Sequence, residues 1–151
     1  MEYQLKQLGP NDLELMHSLL DCFAEEFNQR EFYQSNRPDN LYMRDVLSSD
    51  TFIAVVACVG NKVIGGLTAY ELKKIEQKRS EIHLYELAVA EPYRRKGIAT
   101  SLIEKVKLIG QSRGAWLVFV QAEYVDKPAV NLYTKLGRKQ EILHFDLPLE
   151  K

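Results

Sequence analysis

A short basic turn that contains glycine, set between an apolar strand pattern and an apolar-striped helix pattern, constrains the fold of this chain more than any other feature. Residues 81–89 have the dense apolar content of a buried strand, and residues 97–112 repeat apolar side chains at three- and four-residue spacing. Between these patterns the sequence reads Tyr-Arg-Arg-Lys-Gly-Ile-Ala-Thr over residues 93–100. This order predicts a strand, a tight turn and a helix in one continuous unit.

The turn has the chemistry of an anion-binding site. Backbone N–H groups converge at a helix N-terminus, and the helix dipole favours negative charge there. Gly97 and Ala99 leave room for a phosphate near the backbone, while Arg94, Arg95 and Lys96 add three positive charges. We predict a diphosphate site, with a plain basic surface loop as the alternative. The spacing matches neither a P-loop nor a Gly-x-Gly-x-x-Gly motif, which disfavours a nucleoside triphosphatase or a dehydrogenase.

Hydrophobic periodicity and turn residues predict the remaining elements along the chain. The predicted strands cover residues 2–8, 51–59, 63–72, 81–89, 115–122 and 138–147, and the predicted helices cover 13–27, a short stretch from 38, 97–112 and 126–136, with a loop over 28–36. The order is β-α-α-β-β-β-α-β-α-β. It predicts an α/β fold of α+β type, a mixed central β-sheet flanked by helices, in a single domain over residues 1–151.

Composition excludes several classes of protein. The 151 residues carry a formal net charge of −1, without the basic excess of a nucleic-acid-binding protein. No apolar run approaches the ~18 residues that a membrane span requires. Cys22 and Cys58 supply neither a disulfide framework nor a metal quartet, and are interpreted as reduced thiols. Since the N-terminus also lacks a signal-peptide pattern, we expect a cytoplasmic protein without a metal.

Two motifs resemble the GNAT N-acetyltransferases. Arg94-x-x-Gly97-x-Ala99 resembles their acetyl-coenzyme A signature, and the stretch from Ala129 through Tyr133 to Gly137 is similar to a later family helix whose tyrosine faces the coenzyme sulfur. The resemblance implies a GNAT-like fold with acetyl-coenzyme A (acetyl-CoA) as co-substrate. The coenzyme contacts that we expect are Leu87, Ala88, Val89, Arg94, Arg95, Lys96, Gly97, Ile98, Ala99, Thr100, Ala129, Leu132 and Tyr133.

A closer resemblance, from about Thr51 to Asp146, is to aminoglycoside 3-N-acetyltransferases of the gentamicin-modifying class. It is carried by the segments 80–89, 121–124, 128–130, 132–137 and 144–146. It implies acetyl transfer to the 3-amino group of gentamicin-type aminoglycosides, by direct attack in a ternary complex, and hence antibiotic resistance. Lys127 stands where that class has an acidic residue, so the range of aminoglycosides stays open. Three alternatives also stay open: another small amine or a peptide amine as the acceptor, a non-catalytic acyl-CoA-binding module in place of an enzyme, and a homodimer.

Acetylation of an amine needs a base, a polarised thioester carbonyl and a proton for the departing thiolate. Glu86 is a lone carboxylate in an apolar strand and is the first candidate for the base. An ion pair with Arg79 or a lysine is the structural alternative, and Glu81 and His83 are reserve candidates acting through water. The resemblance implies that Tyr133 is the general acid. Backbone N–H groups near residues 87–89 would hold the carbonyl if a strand irregularity leaves one unpaired.

A polycationic aminoglycoside calls for acidic and aromatic side chains on the acceptor side. Glu123, Asp126 and Asp146 match or nearly match the family and fall at strand or helix ends. Tyr70 and Tyr124 are candidates for stacking on sugar rings or for hydrogen bonding to them. For each of these residues, a solvated surface position is the alternative. The expected partner is therefore a small polycation, with neither nucleic acid nor membrane involved.

Overall fold

The computed structural model describes residues 1–150 and contains a five-stranded mixed sheet. The strands are β1 (Gln4–Gln7), β2 (Phe52–Val59), β3 (Lys62–Lys73), β4 (Ser80–Val89) and β5 (Ala115–Val120). The helices are α1 (Leu13–Glu26), α2 (Asn40–Ser48), α3 (Ile98–Ser112) and α4 (Lys127–Leu136), with a π-helical turn at Glu31–Ser35 and a 3-10 turn at Glu91–Tyr93. The strands lie in sequence order, antiparallel up to β4, and β5 runs parallel to β4. The predicted mixed sheet flanked by helices is confirmed.

The chain divides into two compact units. Met1–Val120 forms the first, which holds all five strands and the helices α1 to α3, and the second begins at Gln121 and holds α4. The prediction of a single domain over residues 1–151 stays a prediction, and its last residue, Lys151, lies outside the described residues.

Helices cover the two faces of the sheet in the first unit. Leu19 and Phe23 of α1 pack with Ala54, Val56 and Ala88 of the sheet in one buried cluster. Because side chains alternate along a strand, the buried neighbours at positions 53 and 55 point to the opposite face. There α3 approaches so closely that a Cβ on Gly110 would lie 3.1 Å from Ile82. The apolar stripe predicted for α3 is accordingly buried.

Local signals in the sequence predict several boundaries correctly. The turn between β2 and β3 uses Gly60 in the left-handed region at φ 60°. Asp39 caps α2 by accepting a hydrogen bond from the N–H of Tyr42 at 2.9 Å. In the second unit, Asp126 caps α4 and accepts from the N–H of Ala129 at 3.3 Å.

Two expectations for local structure are wrong. The segment predicted as a loop at 28–36 contains the π-helical turn Glu31–Ser35. The strand predicted at 138–147 does not form, and residues 138–150 adopt no regular structure. Alternating hydrophobicity favours a strand, but a strand also needs a neighbouring backbone for its N–H and C=O groups.

Within residues 1–150, no helix has the length and apolar character needed to cross a membrane. No group of three or more His, Cys, Asp or Glu side chains in the same residues is arranged to hold a metal ion. Cys22 and Cys58 are both free thiols.

Candidate active site

A β-bulge in β4 decides the direction of Glu86. Thr68 of β3 lies opposite Glu86 and the next β3 residue lies opposite Leu84, so Tyr85 is an extra residue without a partner on β3. The extra residue reverses the alternation of side chains along β4. Leu84 points, like Ile82, to the face of the sheet that α3 covers. Glu86 points, like Ala88, to the face that α1 covers. Without the bulge, the carboxylate would point into the apolar layer beneath α3.

Two hydroxyl groups hold the Glu86 carboxylate. The Oη of Tyr33 donates to Oε2 at 2.5 Å, and the Oγ1 of Thr68 donates to Oε1 at 2.6 Å. Thr68 is buried, and Glu86 itself is half-buried. No described Lys, Arg or His lies within 4.0 Å of this carboxylate, and Arg79 lies over the ring of Trp116 at 3.8 Å instead. The ion-pair alternative for Glu86 is therefore wrong, and both hydrogen bonds to this carboxylate come from neutral hydroxyl groups.

Tyr33 is fixed by the core as well as by this hydrogen bond. Its ring lies 5.8 Å from Phe23 and 6.0 Å from Phe27, both on or next to α1. Burial, followed by the hydrogen bond to Glu86, raises the pKa of Tyr33 far above its ordinary value. The phenol therefore stays protonated and continues to donate at any pH used for an assay.

A row of aromatic rings follows the same face of the sheet. Tyr70 lies 5.4 Å from Phe52 and 5.9 Å from Tyr85, measured between ring centroids. Tyr85 in turn contacts His83, whose ring stacks on Phe119 at 4.5 Å. Burial lowers the pKa of His83, which favours its neutral form. These rings form an apolar surface on which the flat side of a sugar can lie.

An open groove of about 470 Å³ begins at Tyr70. Its other lining residues come from α2, from the loop after it and from the start of β2, namely Asp45, Val46, Ser48, Ser49, Thr51 and Phe52. Burial, followed by the negative charge of Glu86, raises the pKa of Tyr70, so the groove starts within electrostatic reach of that carboxylate. Carboxylate and hydroxyl oxygens beside an aromatic ring suit a cationic, polyhydroxylated ligand.

The reserve base Glu81 is engaged elsewhere. Its carboxylate lies 3.8 Å from the Nζ of Lys74 and accepts a hydrogen bond from the indole N–H of Trp116 at 3.3 Å. Of the two carboxylates on β4, Glu86 is the one without a cationic partner among the described residues.

The basic turn has the predicted geometry. Gly97 precedes α3 at φ 81°, and a Cβ built on it would meet nothing within 4 Å. The first intrahelical bond runs from the N–H of Ser101 to the carbonyl of Gly97 at 3.0 Å, so the N–H groups of residues 98–100 have no acceptor within the helix. Arg95 also has a left-handed backbone, at φ 63°. An anion can approach these N–H groups from open space.

Arg94 has a structural role in the turn. Its Nε donates to the carbonyl of Val89 at 3.0 Å, and its guanidinium pairs with Glu26 of α1. Arg94 therefore ties the turn to the end of β4 and to α1. Arg95 and Lys96 are exposed and supply the positive charges that remain for a ligand.

The end of β4 has one open edge. β4 pairs with β5 only as far as Leu84, which lies opposite Val120. Beyond that point residues 86–89 pair with β3 alone, so alternate N–H groups point to a side where no described strand accepts them. The strand irregularity expected at residues 87–89 lies at Tyr85 instead. The free N–H groups arise because β4 extends past the end of β5.

The second unit holds the other predicted catalytic residue. Tyr133 is half-buried in α4, as are Ala129 and Leu132. Burial, followed by the negative charge of Asp126, raises the pKa of Tyr133 to about 12. Its phenol is therefore protonated at neutral pH, as a proton donor must be.

The predicted acceptor residues of the second unit have separate surroundings. Glu123 and Tyr124 are exposed, and Tyr124 donates a hydrogen bond to Glu141. Asp126 is used as the cap of α4, and Asp146 bonds to the imidazole of His144 at 2.9 Å. Their role in substrate binding stays a prediction.

Sequence reasoning missed Tyr33, Thr68 and the groove at Asp45. A threonine among glycines and apolar residues of β3 is a weak signal of a buried polar contact. The other two carry no local signal, because their contacts depend on segments distant in the chain.

Comparisons with known proteins agree with this geometry. Residues 13–137 match the family model described as Acetyltransferase (GNAT) family. A solved aminoglycoside acetyltransferase from an uncultured soil metagenomic sample is 53% identical, with a TM-score of 0.97 over 99% of this chain and 100% of that one. Another such enzyme, solved in complex with sisomicin, is 29% identical, with a TM-score of 0.92 over 98% of this chain and 97% of that one.

Curated relatives match over a shorter stretch. An N-alpha-acetyltransferase of Saccharolobus solfataricus is 35% identical over 96 residues, which are 56% of this chain and 55% of that protein. A second N-alpha-acetyltransferase, from Sulfurisphaera tokodaii, matches over 42% of its length. The chain thus spans about half the length of the curated relatives that it matches.

Proposed function

The chain belongs to the GNAT family of acetyltransferases, and from this we propose that it transfers the acetyl group of acetyl-CoA to an amino group of an aminoglycoside. The observation that carries the proposal is the Glu86 carboxylate, which is held by two hydroxyl donors and lies within electrostatic reach of Tyr70, where a groove begins that also contains Phe52 and Asp45. The likeness to a protein solved with sisomicin supports the same class of acceptor. We assign the reaction to the 3-amino group of gentamicin-type compounds, with antibiotic resistance as its consequence.

The basic turn fits the diphosphate of acetyl-CoA. The N–H groups of residues 98–100 would hold its oxygens, and Arg95 and Lys96 would balance its charge. Open space at Gly97 leaves room for this approach. The bound coenzyme supplies an acetyl group that is activated as a thioester. The free N–H groups of residues 87–89 would polarise its carbonyl.

Direct attack by the amine in a ternary complex assigns one role to each catalytic residue. Glu86 takes a proton from the acceptor ammonium, which frees the nitrogen lone pair. As the C–N bond forms and the C–S bond breaks, Tyr133 gives its phenolic proton to the departing sulfur. Each such proton transfer typically contributes ~10² to 10⁴ in rate.

The acceptor is proposed to lie with its reacting amine at Glu86 and its remaining rings over Tyr70. From there the groove offers Asp45 to a second ammonium group. Glu123, Tyr124, Asp126 and Asp146 remain proposed contacts from the second unit. Lys127 repels cations, so we expect a narrower range of aminoglycosides than an acidic residue would permit there.

Acetyl-CoA turnover with a panel of amines tests the proposed function. Thiol release is measured with gentamicin, sisomicin, a polyamine, glucosamine and a peptide with a free N-terminus, and the acetylated nitrogen is located by NMR. We expect turnover with the aminoglycosides and modification of the 3-amino group. Absence of thiol release with every aminoglycoside would contradict the proposal.

Glu86→Gln and its control Glu81→Gln then test the base. Both variants remove one carboxylate from β4, but only Glu86 lies free of cations. We expect kcat to fall by ~10² to 10⁴ for Glu86→Gln, with little change for Glu81→Gln. Equal losses in the two variants would remove the base role from Glu86.

One observation favours a second candidate acceptor, the N-terminal amine of a peptide. The relative from Saccharolobus solfataricus is named an N-alpha-acetyltransferase. Turnover with the peptide and not with the aminoglycosides would select this candidate.

A further inference from the structure

The turn that carries Tyr33 needs a hydrogen-bond donor that its own backbone cannot supply. No residue of the π-helical turn Glu31–Ser35 is buried, and no side chain caps its start. In a π-helix each carbonyl accepts from the N–H group five residues further along the chain. For the carbonyl of Tyr33 that residue is Pro38, which has no N–H. A donor for this carbonyl must therefore come from outside the backbone of the turn.

Arg37 supplies that donor and ties the turn to α1. Its Nε donates to the carbonyl of Tyr33 at 2.9 Å, and its Nη2 pairs with the carboxylate of Asp21 at 2.7 Å. Its Nη1 lies 3.1 Å from the Nδ1 of His17. Because a guanidinium only donates, this ring nitrogen is the acceptor. The planar fork of Arg37, whose side chain is 19% exposed, joins three groups in fixed directions.

The same network reaches α2 through His17. Since its Nδ1 accepts, the neutral ring carries its proton on Nε2, which lies 2.8 Å from the Oδ1 of Asn40, the first residue of α2. Side chains around Arg37 therefore join α1, the turn and α2. None of them bonds to Glu86, and the link to that carboxylate is the hydroxyl of Tyr33.

We propose that Arg37 is a positioning residue for the base and acts by fixing the backbone of Tyr33, a step that rests on the proposed function. The Tyr33 hydroxyl lies at the far end of a long side chain, so a small rotation of the backbone turns it away from the Oε2 of Glu86. A hydrogen bond weakens steeply when it is bent or stretched. A carboxylate without this donor takes up other directions, and the acceptor ammonium then meets it less often in the geometry for proton transfer. Arg37 thus contributes to kcat through Tyr33.

Arg37→Gln tests this role, with Arg30→Gln as the matched control. Arg30 belongs to the same segment and also pairs with an acid of α1, Glu25, at 2.5 Å, but its side chain makes no hydrogen bond to Tyr33. Loss of part of a hydrogen bond to a charged group should lower kcat at least about fivefold in Arg37→Gln, with KM for the aminoglycoside nearly unchanged. Arg30→Gln should retain kcat. Equal losses in the two variants, or a rise in KM alone, would overturn the proposal.

A double-mutant cycle with Tyr33→Phe distinguishes positioning from a general structural role. If Arg37 acts through the Tyr33 hydroxyl, Arg37→Gln should change kcat by less than about twofold once that hydroxyl is absent. A loss of about fivefold in both backgrounds would show that Arg37 acts by another route, and would overturn the proposal. Arg37→Lys keeps the charge but cannot reach three acceptors at once, and it takes the place of Arg37→Gln in the cycle if that variant does not fold.

Hydrogen exchange measured by NMR tests the turn without reference to catalysis. The N–H of Tyr33 donates to the carbonyl of Gln29 at 3.1 Å. Release of the turn should speed the exchange of this amide at least about tenfold in Arg37→Gln and leave it unchanged in Arg30→Gln. Unchanged exchange in a folded Arg37→Gln variant would overturn the proposal. If the wild type acetylates no aminoglycoside, the proposed function fails, while the exchange still decides whether Arg37 fixes the turn.

Discussion

Tyr33 donates a hydrogen bond to the carboxylate of Glu86, the proposed base, and we propose it as a positioning residue. Tyr33→Phe keeps the ring that packs on Phe23 and Phe27 but removes the donor to Oε2. A hydrogen bond to a charged group contributes about 1.5–3 kcal/mol, so we expect kcat to fall by roughly 10- to 100-fold with KM nearly unchanged. Steady-state kinetics with the preferred aminoglycoside measure both constants.

Tyr42→Phe is the matched control for this prediction. Tyr42 is an exposed tyrosine of the neighbouring helix and makes no hydrogen bond to Glu86. Its variant should retain wild-type kcat. A Tyr33→Phe variant with wild-type kcat, or with a rise in KM alone, would show that the hydroxyl does not position the base.

The sequence predicts Glu86 as a candidate base but does not predict its hydrogen-bond donors, because the donors are distant along the chain. A lone carboxylate in an apolar strand is visible as a pattern, whereas its two donors lie 53 and 18 residues away. The alternative of an ion pair between Glu86 and Arg79 fails for a different reason. Arg79 is near in sequence, but the ring of Trp116 occupies its guanidinium.

At the scale of elements, the basic turn offers the most direct test of coenzyme binding. Gly97→Glu places a negative charge where the diphosphate should lie, and we expect acetyl-CoA affinity to fall by at least about tenfold, since like charges repel. Isothermal titration calorimetry with acetyl-CoA measures the Kd. Unchanged affinity in a folded variant would remove the diphosphate site from this turn.

Gly97→Ala separates backbone strain from charge. Both variants force a side chain into the left-handed region at φ 81°, which costs about 1–2 kcal/mol, but the alanine Cβ meets open space. Gly97→Ala should therefore lose stability to the same extent as Gly97→Glu. Gly97→Ala should also bind acetyl-CoA more tightly than Gly97→Glu does. Thermal melts of the two variants check the first expectation.

Element type follows from the sequence wherever local signals suffice. The hairpin of β2 and β3, the striped helix α3 and the capped helix α4 are predicted from apolar periodicity and capping residues. The bulge at Tyr85 and the open edge of β4 are not predicted by local signals, because both depend on where the neighbouring strands begin and end. Residues 138–147 show the converse, since a strand pattern forms no strand without a neighbouring backbone.

At the scale of the whole molecule, binding of acetyl-CoA should couple to the stability of the fold. A ligand that binds the native state and not the unfolded chain stabilises the native state by mass action, so the melting temperature rises with the concentration of the ligand. A basic turn that binds no coenzyme predicts no such rise.

For the wild type, we expect acetyl-CoA at 100 times its Kd to raise the melting temperature by about 5–11 °C, since it then stabilises the native state by about 2.7 kcal/mol and each 1 kcal/mol shifts the melting temperature of a chain of this size by about 2–4 °C. Gly97→Glu should show a much smaller rise at the same concentration of coenzyme, whereas Glu81→Gln, which leaves the turn unchanged, should follow the wild type. Differential scanning calorimetry with and without acetyl-CoA measures all three. A wild-type melting temperature that does not respond to acetyl-CoA would mean that the folded chain does not bind the coenzyme.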